Sequence, residues 1–187
     1  MDTKTALLDA AEQAARANGH DGFSYGDLSK VIGISKASIH HHFPSKANLI
    51  EMLMGRYQAT VADEFSTIDA LAQNAGQRLR GFINTYRTAL NGGDSLCLCV
   101  ALSVGRDGLE DTVKGQLHGF REMCLAWLEG VFESGAADGT IAGVTEPKNE
   151  AATCLAIVEG AQLAARAEHN ETRFEQAVGM LLGRIVD

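Results

Sequence analysis

Residues 24–44, SYGDLSKVIGISKASIHHHFP, decide how this chain is read. Ser24 is placed to cap a helix from Tyr25 to Ile32, in which Leu28 and then Val31 and Ile32 turn inward at three-to-four spacing. Gly33 stops that helix, and Ser35 caps a second, Lys36 to Phe43, which Pro44 closes. Two short helices joined by a tight glycine turn form a helix-turn-helix, the motif whose second helix enters the major groove while the first braces it against the backbone. Charge agrees with that placement. From Leu28 to Ile50 there is no Asp or Glu, while Lys30, Lys36 and Lys46 are basic and His40, His41 and His42 add fractional charge. The chain up to Asn48 balances five basic against five acidic residues, whereas the remainder carries 11 against 19, so the formal net charge of −8 lies away from the basic segment.

Working outward, the apolar residues keep helical spacing almost everywhere, and strand-like alternation never persists. The chain reads as all-α: an N-terminal three-helix helix-turn-helix domain, residues 1–47, followed by a helical bundle, residues 48–187. The first helix is expected from Thr3 to Ala17, with Leu7, Leu8, Ala11, Ala14 and Ala15 on its apolar face. Ser45 caps a longer one from Lys46 to about Phe65, and further helices are expected at 77–90, 96–105, 109–134, 147–168 and 172–186. Pro147 suits a first helical turn. The helix at 109–134 carries Leu109, Val113, Leu117, Phe120, Cys124, Trp127, Leu128 and Val131 in one stripe. Its Gly115, Gly119 and Gly130 each cost a helix about 1 kcal/mol relative to Ala, which close helix contact or room for a ligand would offset.

Composition excludes several classes. With 45% apolar residues, 21% charged residues, 20 Gly and 2 Pro, the chain is neither disordered throughout nor collagen-like. No apolar run reaches the ~18 residues of a membrane span, and the first residues lack a signal-peptide layout, so a cytoplasmic protein is expected. Cys97, Cys99, Cys124 and Cys154 are irregularly spaced and are expected to stay reduced. Three consecutive histidines point ~100° apart on a helix and cannot converge on one ion, so no metal and no cofactor are expected. Gly-rich phosphate loops and HExxH are absent from the sequence, so no catalytic residues are assigned and no enzyme is expected. Glu110 and Asp111 read as exposed charge at a helix start.

The segment Ser35-Lys-Ala-Ser-Ile-His-His-His-Phe-Pro-Ser-Lys-Ala-Asn-Leu-Ile50 resembles the signature of the TetR family of one-component transcriptional regulators. Ala6–Ala11 and Phe23–Leu28 match the family's first two helices at the same spacing, and the likeness covers about residues 3–53. Two positions depart from it: Ala37 stands where Gly or Pro is common, and His40 replaces the usual Tyr. The resemblance implies a homodimeric, ligand-responsive repressor that binds a pseudo-palindromic operator in double-stranded DNA and is released by a small, mainly apolar effector. It implies DNA contacts from Ser24, Tyr25, Lys36, Ala37, Ser38, His40, His41 and Lys46, with Lys46 on a phosphate, and places Ile39 and Phe43 in the small core. A hinge near Pro44 would carry the response.

For the effector pocket the resemblance points to Phe82, Tyr86, Leu102, His118, Phe120, Met123 and Trp127, with His118, Arg121 or Gln116 as polar anchors. For His42, packing beside Phe43 is expected. The last two helices show Ala151, Cys154, Leu155, Val158, Ala161, Gln162 and Ala165, then Phe174, Val178, Leu181, Leu182 and Ile185. These are expected to form a four-helix dimer interface, a monomer core being the alternative. Cys97 and Cys99 are expected to pack as small hydrophobes, with electrophile or redox sensing as the alternative. An α-helical enzyme that keeps the helix-turn-helix as scaffold is the remaining reading.

Overall fold

The computed structural model describes Asp2–Val186, and among these residues the architecture is all helical apart from one isolated β-bridge. The helices are α1 Thr3–Asn18, α2 Tyr25–Ile32, α3 Lys36–His42, α4 Lys46–Leu71, α5 Ala75–Leu90, α6 Leu98–Val104, α7 Asp111–Asp138, α8 Pro147–Glu168 and α9 Thr172–Leu182. Their order and number follow the sequence pattern, and α2 and α8 have the expected bounds. No helix of the described residues is long and apolar enough to cross a membrane.

Packing divides the chain into two compact units that are discontinuous in sequence. The first holds the chain up to Thr60 together with Leu98–Gly119; the second holds Val61–Cys97 and everything from Phe120 onward. This is a division by contact, whereas the boundary at 47/48 separates segments by the role expected of them. In the first unit, α1 packs on α2 and α6, and α2 packs on α3. Its core is built from Leu7, Leu8, Ala11, Leu28, Ile39, Phe43, Leu49 and Leu53, all buried. Arg56 of α4 fastens α1 through Asp9 at 2.6 Å and Glu12 at 2.8 Å. In the second unit, α5, α8 and α9 pack together around Phe82, Val158, Phe174 and Val178.

Several boundaries differ from expectation for identifiable reasons. Gly135 does not end α7. It lies inside the helix because an added Cβ there would meet the Ile141 side chain at 2.5 Å, so its missing side chain lets the following turn fold back. Gly139, at φ +74°, is where the chain leaves the helix. Helix α9 ends at Leu182, not Val186, because the next residues pair with the turn after α7. Ala142 N–H donates to Arg184 O at 2.7 Å and Val186 N–H to Thr140 O at 2.9 Å, around the Ile141–Ile185 bridge. Helix α4 continues six residues past Phe65, with Ser66 and Thr67 bonded back to Ala62 and Asp63. Helix α6 starts at Leu98, so Cys97 precedes it.

The glycines of α7 also depart from the reading. Nothing lies within 4 Å of where a Cβ on Gly115, Gly119 or Gly130 would sit, so close helix contact within this chain does not explain them. Val31 is the other correction: it is 72% exposed, while Ile32 is half-buried. Leu28 and Ile39 already fill the space between α2 and α3, which leaves Val31 on the outside.

Candidate nucleic-acid interface

The helix-turn-helix is assembled by short polar links. Ser24 caps α2 reciprocally with Asp27: the Ser24 hydroxyl accepts from Asp27 N–H, and Ser24 N–H donates to the Asp27 carboxylate at 3.0 Å. The Ser24 hydroxyl also donates to that carboxylate at 2.6 Å, and these bonds hold the Asp27 carboxyl below its ordinary range. Gly33, at φ +76°, provides the left-handed turn between α2 and α3. Ser29 then fixes the turn by donating to Ile34 O at 2.6 Å. Ser35 caps α3 by accepting from Ser38 N–H at 3.1 Å, and Ser45 does the same at α4 for Asn48 N–H.

Helix α3 is anchored by one face and open on the other. Ile39 and Phe43 are fully buried, as expected. Lys36, Ala37, His40 and His41 are exposed, and Ser38 is half-buried. The Lys36 side chain runs back over α2, its Cε and Nζ 3.1 and 3.2 Å from where a Cβ on Gly26 would lie. His40 sits edge-on to Tyr25, ring centroids 4.8 Å apart, and its Nδ1 is 3.3 Å from Pro44 O. Tyr25 donates its hydroxyl to Phe43 O at 2.8 Å, and burial pushes its pKa up to about 12. His42 is half-buried, 6.5 Å from the Phe43 ring. The structure thus gathers Tyr25, Lys36, Ala37, Ser38, His40 and His41 on and around one short helix, with Ser24 at the start of the helix beneath it.

Lys46 is different. Its ammonium donates to His20 O and to Phe23 O, the latter at 2.7 Å, and lies 4.4 Å from the centre of the Phe23 ring. Burial lowers its pKa, partly offset by Asp21. Lys46, of which a phosphate contact is expected, here forms a clamp that ties α4 to the turn between α1 and α2. The sequence carries no signal for that inward turn.

The residues expected at an effector pocket separate. Phe82, Tyr86, Phe120, Met123 and Trp127 belong to the second unit, whereas Leu102 and His118 belong to the first. Phe82 stands 5.1 Å from Tyr86 and 5.9 Å from Trp127, and Phe65, absent from the expected set, stacks on Trp127 at 4.6 Å. Trp127 donates its indole N–H to Asp69 at 3.0 Å. Leu102 and Phe120 are buried and Met123 is half-buried. His118 is exposed on α7, so it anchors nothing in this chain's interior. Of the other polar anchors, Gln116 donates to Glu51 O at 3.2 Å, and Arg121 is held by Glu159 at 2.6 Å.

Gln162, expected with its neighbours at a dimer interface, is instead a polar residue buried within the protomer. It accepts from Cys97 N–H at 2.9 Å and donates to Tyr86 O at 2.7 Å, linking α8 to α5 and to the segment before α6. A lone Gln on an otherwise apolar helix face was the available signal.

The last two helices also read differently in three dimensions. Ala151, Cys154, Leu155, Val158, Ala161, Gln162, Ala165, Phe174, Val178 and Leu181 are buried within the protomer. They are monomer core, the alternative to the interface expected of them, because α8 and α9 turn their larger apolar residues toward each other and α5. The opposite face of α8 exposes Ala152, Thr153, Ala156, Gly160, Leu163, Ala164 and Ala167, and the exposed charged residues of the helix, Lys148 and Glu168, lie at its two ends. On α9 the exposed set includes Gln176, Gly179 and Met180. Nothing lies within 4 Å of an added Cβ at Gly160 or Gly179.

Comparison with known proteins agrees with this geometry. Residues 7–53 match the family model described as bacterial regulatory proteins, tetR family, and residues 75–181 match the tetracyclin repressor-like C-terminal domain. A transcriptional regulator of the TetR family from Agrobacterium tumefaciens is 29% identical, with a TM-score of 0.92 over 98% of this chain and 97% of that one. A TetR transcriptional regulator from Legionella pneumophila is 26% identical, with a TM-score of 0.89 over 100% and 98%. The HTH-type transcriptional repressor KstR2 of Rhodococcus jostii is 23% identical over 145 residues, 73% of this chain and 67% of that protein.

Proposed function

Because the chain belongs to the TetR family of transcriptional regulators, we propose that it is a homodimeric repressor which binds a pseudo-palindromic operator through α3 and leaves it when a small apolar effector binds. The observation that carries this reading is the open face of α3: Lys36, His40 and His41 stand exposed in a segment, Leu28 to Ile50, that contains no carboxylate. Lys36 reaches a guanine edge or a phosphate, Ser38 donates or accepts, and Ser24 and Tyr25 sit where the bracing helix meets the backbone. The N-terminal amides of α4 add an anion-binding end. Repression is the direction indicated by the relative named as a repressor.

One recognition helix reads too few bases for a specific site, so two copies are required, with half-sites about 34 Å apart or a multiple of that. The uncharged, small-residue face of α8 with Gly179 and Met180 of α9 is the surface we assign to the partner copy. It replaces the residues first expected there. The effector is placed among Phe82, Tyr86, Phe120, Met123 and Trp127, a largely aromatic environment suited to an apolar molecule. It needs only to prefer the DNA-incompetent state: a coupling of about 1–3 kcal/mol changes affinity about 5- to 150-fold.

The test is duplex binding against salt. Affinity should fall steeply, with log K dropping by about 0.9 per decade of salt for each phosphate neutralised. Lys36→Ala should weaken binding by about 5- to 150-fold per half-site. A folded protein that binds no duplex at low salt contradicts the reading, and so does salt-insensitive turnover of a small molecule.

Sensing by thiols is the second reading, and the burial of the cysteines argues against it. All four are buried. Burial is the largest influence on both Cys124 and Cys154, raising the first strongly and pushing the second up to about 12. A thiolate is the reactive form, so these thiols are expected to resist reagents. In the folded protein at about pH 8, a chromogenic disulfide reagent should label none of the four within minutes, and all four after denaturation. Rapid labelling of Cys97 or Cys99 in the native state would restore the sensor.

A further inference from the structure

Resting on the DNA-binding reading above, we propose that operator binding is proton-linked through His40, which meets a hydrogen-bond acceptor on the DNA only when its imidazole is protonated. One contact orients the His40 ring. His40 Nδ1 faces Pro44 O at 3.3 Å. A carbonyl oxygen can only accept, so Nδ1 carries the hydrogen, and in the neutral ring Nε2 is left with a lone pair and no proton. The ring is also held from the side by Tyr25, whose own hydroxyl is tied to Phe43 O. Flipping the imidazole to present the other nitrogen would give up the Pro44 contact.

Duplex DNA presents phosphate oxygens along its backbone and the N7 and O6 acceptors of guanine in the major groove. Against either, a neutral Nε2 sets lone pair against lone pair. Protonation turns Nε2 into a donor and adds a charge, giving the charge-assisted bond that such acceptors favour. Histidine is the side chain whose ordinary charge change falls between pH 5 and 8.

The charged surroundings leave the DNA as the partner for that added charge. On α3, Lys36 lies one turn before His40, and His41 and His42 follow it. On α2, Tyr25 contributes a ring and a hydroxyl already bonded, and Lys30 is basic. The α2 carboxylate, Asp27, is engaged by Ser24 and flanked by Lys30 and Lys36. At the start of α4, Lys46 is committed to carbonyl oxygens, and Asp21 in the α1–α2 turn is bonded to His20. No Asp or Glu occurs from Leu28 to Ile50. Proton uptake and DNA binding are therefore coupled.

The experiment measures equilibrium binding at fixed ionic strength from about pH 5.5 to 8.5, with the wild-type chain and His40→Gln. The probes are a selected operator duplex and a scrambled duplex of equal length. Glutamine donates and accepts without titrating, and because position 40 is exposed the variant folds, which circular dichroism verifies at each pH. The wild-type dimer is expected to bind about 10- to 100-fold more tightly at the acid end, taking up as many as two protons per duplex, and His40→Gln is expected to lose most of that gain. A phosphate contact gives both duplexes the same pH slope; a guanine contact confines the slope to the operator. A flat wild-type profile, affinity that rises with pH, or an unchanged slope in His40→Gln overturns the proposal. Absence of duplex binding at every pH instead overturns the DNA-binding reading on which it stands.

Discussion

If the chain pairs as proposed, placing an arginine at Ala156 is expected to leave a folded monomer and to weaken operator binding by about 100-fold or more. Ala156 lies midway along the exposed, uncharged stripe of α8, between Ala152 and Gly160. Its side chain points away from the protomer's core, so a long cation there should leave the monomer's own packing intact. Against a second copy, the same cation would be buried without a partner, which costs several kcal/mol. Loss of the dimer then removes simultaneous engagement of two half-sites, an effect of about 10²–10⁴ in affinity. Sedimentation and duplex binding check both halves of the expectation. If Ala156→Arg remains dimeric and binds DNA normally, the partner surface lies elsewhere.

The second large effect concerns stability. Gln162 is fully buried at 0% exposure, and its two amide functions answer two backbone groups, Cys97 N–H and Tyr86 O. Replacing it with leucine keeps a side chain of similar size but removes both bonds. Cys97 lies just before α6, so its N–H is outside the helical ladder and loses most. Leaving buried polar groups unanswered costs about 1–3 kcal/mol each, so Gln162→Leu should destabilise the chain by about 2–3 kcal/mol. Urea unfolding measures this. Gln162→Glu separates the two bonds: its carboxylate still accepts from Cys97 but cannot donate to Tyr86 O. Its deficit should shrink as pH falls, because the protonated carboxyl donates. A loss below about 1 kcal/mol in Gln162→Leu would mean that the link is incidental.

The helix-turn-helix was legible because its signals are local. Ser24, Ser35 and Ser45 cap helices through bonds three residues away, Gly33 takes a left-handed turn, and Ile39 and Phe43 fill one small core. Each depends on a few neighbours in sequence. The features that escaped depend on distant neighbours. The length of α7 turns on Ile141 folding back over Gly135, and the end of α9 on pairing with the turn at 140–142. Helix α8 carries Ala on both faces, so composition alone could not say which stripe meets its own core and which is left outside. Lys46 reads from sequence as a phosphate contact, and the carbonyl oxygens that His20 and Phe23 present to it come from residues more than twenty positions away. Gln162 was grouped with the apolar residues around it, and its backbone partners, Cys97 and Tyr86, lie far away in sequence.

The central claim is that α3 reads DNA in two copies, and selection of bound duplexes from a random pool at about 100 mM salt tests it most directly, with Lys36→Ala run in parallel. The account predicts an enriched inverted repeat whose half-site centres lie about 34 Å apart or a multiple of that, and loss of that enrichment in Lys36→Ala. A folded wild-type dimer that enriches no sequence, or an enrichment that Lys36→Ala leaves untouched, would contradict it.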